Sequence, residues 1–141
     1  MRQASRATLR LVGLAIFLTS AACGGTSPST TTSPSTTTTD TFTGTVAIGG
    51  SDSHTFTVSQ SGEVGLTLTA AGPPATIAMG LGVGVPNGSA CTLLAGGSTT
   101  TAAGASAQLK GLVSGGTLCV KVYDVGNQTS PVTYTVAVSH P

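Results

Sequence analysis

Apolar and polar residues alternate along most of the chain after residue 41. In VGLTLTA, Val64, Leu66 and Leu68 share one face, and Gly65, Thr67 and Thr69 share the other. A period of two marks a half-buried β-strand. The same alternation runs through FTGTVAI (Phe42, Val46, Ile48), HTFTV (Phe56, Val58), IAMGLGVGV (77–85), CTLLA, LCVKVYDV and TYTVAV. Two weaker strands are expected inside STTTAAGASAQLKGL, around Ser98–Ala103 and Ala105–Leu109. Turn signals such as GGSDS, AGPPA and PNGS separate these runs, and no segment of this region holds a 3.6-residue period. About eight or nine short strands punctuated by Gly, Pro, Asn and Asp predict an all-β domain, an antiparallel sandwich or barrel over residues 42–141.

The stretch IAMGLGVGV poses a question of its own. Ile77, Met79, Leu81, Val83 and Val85 are expected in the core, which leaves Ala78, Gly80, Gly82 and Gly84 on a nearly bare face. A dinucleotide loop needs G-x-G-x-x-G opening a helix, but Asn87 stands at the third glycine position and Pro86-Asn87-Gly88 makes a turn. A P-loop needs Gly-Lys-Ser/Thr, which is missing. Glycines weaken a strand, so their use predicts a close approach of something to the backbone.

Composition changes this picture in one respect. Charged residues make up 6% of the 141-residue chain, so Thr, Ser, Gly, Asn and Gln must cover the surface. The formal net charge of +1 hides an asymmetry: Arg2, Arg6 and Arg10 lie at the start, and the rest holds Lys110 and Lys121 against Asp40, Asp52, Glu63 and Asp124. The domain therefore has no basic footprint, and no nucleic-acid partner is expected.

The N-terminus reads as an address. Three arginines precede the apolar run LVGLAIFL, and the small residues TSAA lead to Cys23. This is the order of a secretory signal, and the run is shorter than the ~20 residues a spanning helix needs. S-A-A-C, residues 20–23, resembles the lipobox of bacterial lipoproteins. The resemblance implies that residues 1–22 are a cleaved signal and that Cys23 is acylated, with the lipid bilayer as its partner. An ordinary cleaved signal with a free Cys23 is the alternative. Gly24, where an inner-membrane retention signal places Asp, implies export to the outer membrane or cell surface. Residues 26–39 contain only Ser, Thr and Pro, so residues 23–41 are expected to form a disordered tether.

Two cysteines then remain, Cys91 and Cys119. In an oxidising compartment they are expected to form a disulfide, the alternative being two separate buried thiols. Cys119 shares parity with Lys121 and Tyr123, which places the bridge near the outer face.

The front segment FTGTVAIGGSDSHTFTVSQSGEVGLTLTA and the back segment LVSGGTLCVKVYDVGNQTSPVTYTVAV resemble the bacterial pre-peptidase C-terminal domain. That resemblance implies a jelly-roll-like β-sandwich, often an appendage of secreted enzymes that aids secretion or binds matrix or polysaccharide. Some members bind calcium near the N-terminal edge, where this chain offers only Asp40 and Asp52.

Candidate chemistry is sparse. Ser51-Asp52-Ser53-His54 brings hydroxyl, carboxylate and imidazole together, but adjacency in a turn does not make a triad, and Asp52 is expected to support the turn. A metal site would have to draw on His54, Asp52, Glu63 and Asp124, which are scattered in sequence, and these are expected to be solvated. His140 is expected to be frayed. Asn87 and Asn127 open N-x-S/T runs that read as turns. No catalytic, metal or cofactor residues are expected. Tyr123 alone has outward parity among the ring-bearing residues Phe42, Phe56, Tyr123 and Tyr134, which disfavours a saccharide-stacking platform. The expectation is a non-catalytic envelope module that binds protein or polysaccharide, the alternative being a structural or assembly lipoprotein with no soluble ligand.

Overall fold

The computed structural model describes residues 36–141. The expected signal, Cys23 and most of the expected tether lie outside the described residues. Eight strands follow in order: β1 (Thr38–Val46), β2 (Ser51–Val58), β3 (Gly62–Gly72), β4 (Met79–Asn87), β5 (Ala90–Thr101), β6 (Leu109–Val113), β7 (Gly116–Tyr123) and β8 (Val132–His140). They build two four-stranded antiparallel sheets, β1-β8-β3-β6 and β2-β7-β4-β5. The pairs β1·β8, β2·β7, β3·β6 and β4·β5 are the rungs of one long hairpin, and the rungs alternate between the sheets. This pairing is the jelly roll, a double-sheet answer to the problem of exposed strand edges.

The core sits between the sheets, where the alternating apolar residues meet. Leu66, Leu68, Val136 and Val138 from one sheet face Met79, Leu81, Val120 and Val122 from the other, all fully buried. Among the described residues, sixteen buried Val, Leu, Ile, Met and Phe side chains form this core, and each stabilises by about 1.5–3 kcal/mol relative to exposure, which suits a domain with so few charges.

Several elements differ from expectation. β1 starts at Thr38, inside the expected tether, because Thr38–Thr41 pair with β8 from Ala137 to His140. Threonine favours strands, and a strand with one solvated face needs few core residues. Ile48 lies beyond β1 and is 58% exposed, while Val85 is 46% exposed near the β4–β5 hairpin. The SDSH run is the start of β2 and not a turn. CTLLA and Ser98–Thr101 are one strand, β5, because residues 94–97 bulge out opposite Gly82 and Gly84, with Gly96 at φ 71°. The strand expected at Ala105–Leu109 lies instead at Leu109–Val113. Before it, Gln108 replaces a ladder residue: its side-chain carbonyl accepts Leu68 N–H at 2.7 Å and its Nε2 donates to Leu68 O at 3.3 Å.

Candidate functional site

The inward-facing polar residues gather where the edge strands β1 and β2 meet. Asp52 and His54 pair with Val122 and Val120 in the ladder, so they share the inner face of their sheet. Tyr134 reaches them from β8. Its hydroxyl donates to Asp52 Oδ2 at 2.9 Å, and its oxygen accepts from His54 Nε2 at 2.9 Å. Because the single phenol proton goes to the carboxylate, His54 Nε2 must carry a hydrogen. Phe42 stacks on the His54 ring, with centroids 4.9 Å apart and planes 10° apart. Burial raises the Tyr134 pKa well above the phenol's usual 10, and the hydrogen bond to Asp52 and its charge add to the shift. Gly44, opposite Tyr134 in the ladder, makes room, because a Cβ there would overlap Asp52 Oδ2 and the phenol. Ser51 and Ser53 alternate to the other face of β2, away from this cluster.

His140 is not frayed. It is 5% exposed, and its Nε2 lies 3.1 Å from Asp40 Oδ2, with Phe56 against its ring at 5.4 Å between centroids. Asp124 is not merely solvated either. Its carboxylate accepts N–H groups from Gly49 at 2.7 Å, Gly126 at 2.8 Å and Asn127 at 3.2 Å. Asn127 Nδ2 in turn donates to Ala78 O at 2.9 Å. One carboxylate thus ties together the β1–β2 turn and the β7–β8 loop, and Asn127 adds the start of β4. Glu63 pairs with Lys110 at 3.3 Å on the exposed surface. Among the described residues, no three His, Cys, Asp or Glu side chains gather where they could hold a metal ion.

The bare face of β4 is covered by the chain itself. Gly80, Gly82 and Gly84 lie opposite Tyr123, Lys121 and Cys119 of β7. A Cβ at Gly80 would overlap the Tyr123 ring, one at Gly82 would meet Leu93 at 2.8 Å, and one at Gly84 would overlap the Thr92 carbonyl. Cys91 and Cys119 are joined by a disulfide with Cα atoms 5.9 Å apart, beside Gly84 on this outer face. The glycines allow a tyrosine, a leucine and a disulfide to pack directly on backbone. Lys121 Nζ lies 5.8 Å from the Tyr123 ring centroid.

Two hollows remain. A narrow slit of about 110 Å³ opens between the free edges β5 and β6, walled by Val64, Leu66, Val83 and Leu109, and Gly111 leaves it open. A broader concavity of about 680 Å³ lies over β1, β8 and the end of β3. Thr43, Thr45, Thr133 and Thr135 line it, with Ala70, Ala71 and Pro73 at one wall. The bulge between Leu68 and Ala70 bends β3 around it. No Asp, Glu, Lys, Arg or His lines it. Sequence reasoning missed this hollow, because its threonines come from strands about ninety residues apart and meet only through the β1·β8 register.

What the fold defines is thus a jelly-roll sandwich with a latched loop end and an uncharged hollow beside it. No protein-family model matches the chain, and comparison with curated proteins finds no match.

Proposed function

We propose that this is a non-catalytic binding module of the bacterial cell envelope, exported and anchored through an acylated Cys23 on a Ser/Thr/Pro tether. The observation that carries the binding reading is the uncharged concavity beside a latched loop end. Its volume lies within the ~300–1,000 Å³ usual for ligand sites. The non-catalytic reading is supported by the ionisable groups, whose partners are internal: Asp52 and His54 with Tyr134, Asp40 with His140, and Asp124 with three backbone amides. Groups held this way have no free acid–base pair aimed at a ligand. The lipoprotein reading is supported by the S-A-A-C run after an apolar segment.

The anchor is tested by mass spectrometry and fractionation. Acyl mass on Cys23, and loss of membrane association in Cys23→Ser, are the expected results; an unmodified cysteine overturns the anchor. The binding reading is tested by capture from envelope extract with the mature protein. A saturable partner is expected. Its absence, together with an envelope defect on deletion, establishes instead a structural lipoprotein without a ligand.

A further inference from the structure

We propose that β6 is a docking edge for a second copy of this chain, which pairs with it antiparallel about a two-fold axis at Gly111. The two sheets leave four edges among the described residues, β1, β6, β2 and β5. An exposed edge invites strand pairing unless a bulge or an inward-pointing charge blunts it. Three of the edges carry such a device. On β1, Asp40 stands opposite the buried Val138 and shares its inner face. On β2, Asp52 and His54 turn inward. β5 bulges at residues 94–97. β6 has neither device. Leu109 and Gly111 stand opposite the buried Leu66 and Val64, so the inward residues of β6 are Leu109, Gly111 and Val113. Leu109 and Val113 pack against the core. The strand's charge, Lys110, is on the outer face and is held by Glu63 at 3.3 Å.

The same edge leaves apolar surface uncovered. Leu112 is 85% exposed, the most of any large apolar side chain among the described residues. The slit beside it opens onto Val64, Leu66 and Val83, with Leu94 at its mouth.

The sequence of β6, Leu-Lys-Gly-Leu-Val, is its own complement. Opposed residues of an antiparallel pair must lie on one face, which rules out registers shifted by a single residue. A two-fold axis at Lys110 would set two lysines opposite each other, which is unfavourable. An axis at Leu112 would pair only three of the five strand residues. An axis at Gly111 pairs all five. It sets Leu109 opposite Val113 of the second copy on the inner face, glycine opposite glycine, and Lys110 opposite Leu112 on the outer face. The two exposed leucines then become diagonal neighbours. Strand addition supplies main-chain hydrogen bonds, and the side chains select the register. This fit of the strand to itself names a second copy as the occupant. Because the same patch serves both copies, the assembly closes at two. Five residues a side fall short of a standard stable interface, so the dimer is weak and reversible.

The test is oxidative cross-linking of the full chain carrying Gly111→Cys, with the wild type as the baseline for Cys23. Opposed Cα atoms in such a pair lie about 4.5–5.5 Å apart, within the ~4.4–6.8 Å that a disulfide spans. A disulfide-linked dimer on a non-reducing gel is expected. Sedimentation velocity of the full chain without that cysteine, in a mild detergent, should show a monomer–dimer equilibrium. Leu112→Lys removes a leucine from each side of the contact and sets like charges opposite, so the dissociation constant should rise at least about tenfold. The melting temperature should stay the same, because Leu112 is exposed in the monomer. Ile48→Lys, at an exposed apolar residue beyond β1, should leave the equilibrium unchanged. A monomer at every concentration with no cross-link overturns the proposal. So does cross-linking to a different protein in place of a second copy, or growth of assemblies beyond the dimer. Association that Ile48→Lys weakens as much as Leu112→Lys also overturns it, because that is unspecific apolar contact.

Discussion

The Asp124 carboxylate accepts the Gly49 N–H at 2.7 Å across 75 residues of sequence. That bond and those to Gly126 and Asn127 hold the two loops at one end of the sandwich in a fixed relation. Its chemical consequence is a dependence on acid. The Gly49 amide is the main cause that holds the Asp124 pKa below its usual 3.8, and the other backbone donors add to it.

A carboxylate with a depressed folded-state pKa contributes stability above its unfolded value and loses it as the pH falls through the folded value. Asp124→Ala should therefore melt at a lower temperature than the wild type at pH 7. The gap should narrow as the pH falls below 3.8 and close once it has passed the depressed folded-state value, where the wild type too has lost its charged latch. Thermal melts of both proteins across that range check this, and a gap independent of pH contradicts it.

Tyr134 creates the opposite dependence. Its pKa is raised above the unfolded value of 10, so the contribution of the protonated phenol is complete below pH 10 and is lost as the pH rises further. In an alkaline titration, tyrosinate absorbance should therefore show one of the two tyrosines appearing only together with unfolding. Tyr134→Phe leaves Asp52 and His54 without their shared partner and should cost about 1–3 kcal/mol at neutral pH by urea denaturation.

Two glycines in different surroundings should respond oppositely to the same change. A Cβ at Gly84 runs into the Thr92 carbonyl, which cannot move without disturbing the β4·β5 ladder. Gly84→Ala should destabilise by about 1–3 kcal/mol. A Cβ at Gly111 meets nothing within 4 Å, at the slit between β5 and β6. Gly111→Ala should stabilise by about 0.5–1 kcal/mol, because alanine loses less backbone freedom on folding. Urea midpoints of the two variants give the comparison directly.

The Cys91–Cys119 bridge joins β5 to β7 across β4 and spans a sequence separation of 28. In the chain-entropy model a loop of that length stabilises by roughly 3–4 kcal/mol. Replacing both cysteines with alanine should lower the unfolding free energy by about that amount, and adding reductant to the double variant should have no further effect.

The strands that strict alternation marks were legible in the sequence, because a period of two is a local property of each segment. VGLTLTA puts Val64, Leu66 and Leu68 in the core as its pattern says. The boundaries that failed lie where polar residues carry the strand. Asp52 and His54 face inward at a rim, so SDSH looks like a turn, and Gln108 completes a ladder that its neighbours do not. His140 looks frayed until Asp40, a hundred residues away, is seen beside it. The glycines of β4 announced a close neighbour, but Tyr123 and Leu93 could be named only after the strands were paired.

By itself, the sequence determined that the domain is all-β, where most strands run and most of the residues that enter the core, Ile48 and Val85 excepted. These follow from side-chain periodicity and turn chemistry, which act within a few residues. Tertiary structure alone decided the alternating rungs of the jelly roll, the Asp124 latch, the Asp52–Tyr134–His54 cluster and the threonine-lined hollow. Each depends on strand register, which is set by how two sheets bury their apolar faces together and leaves no trace in any single segment.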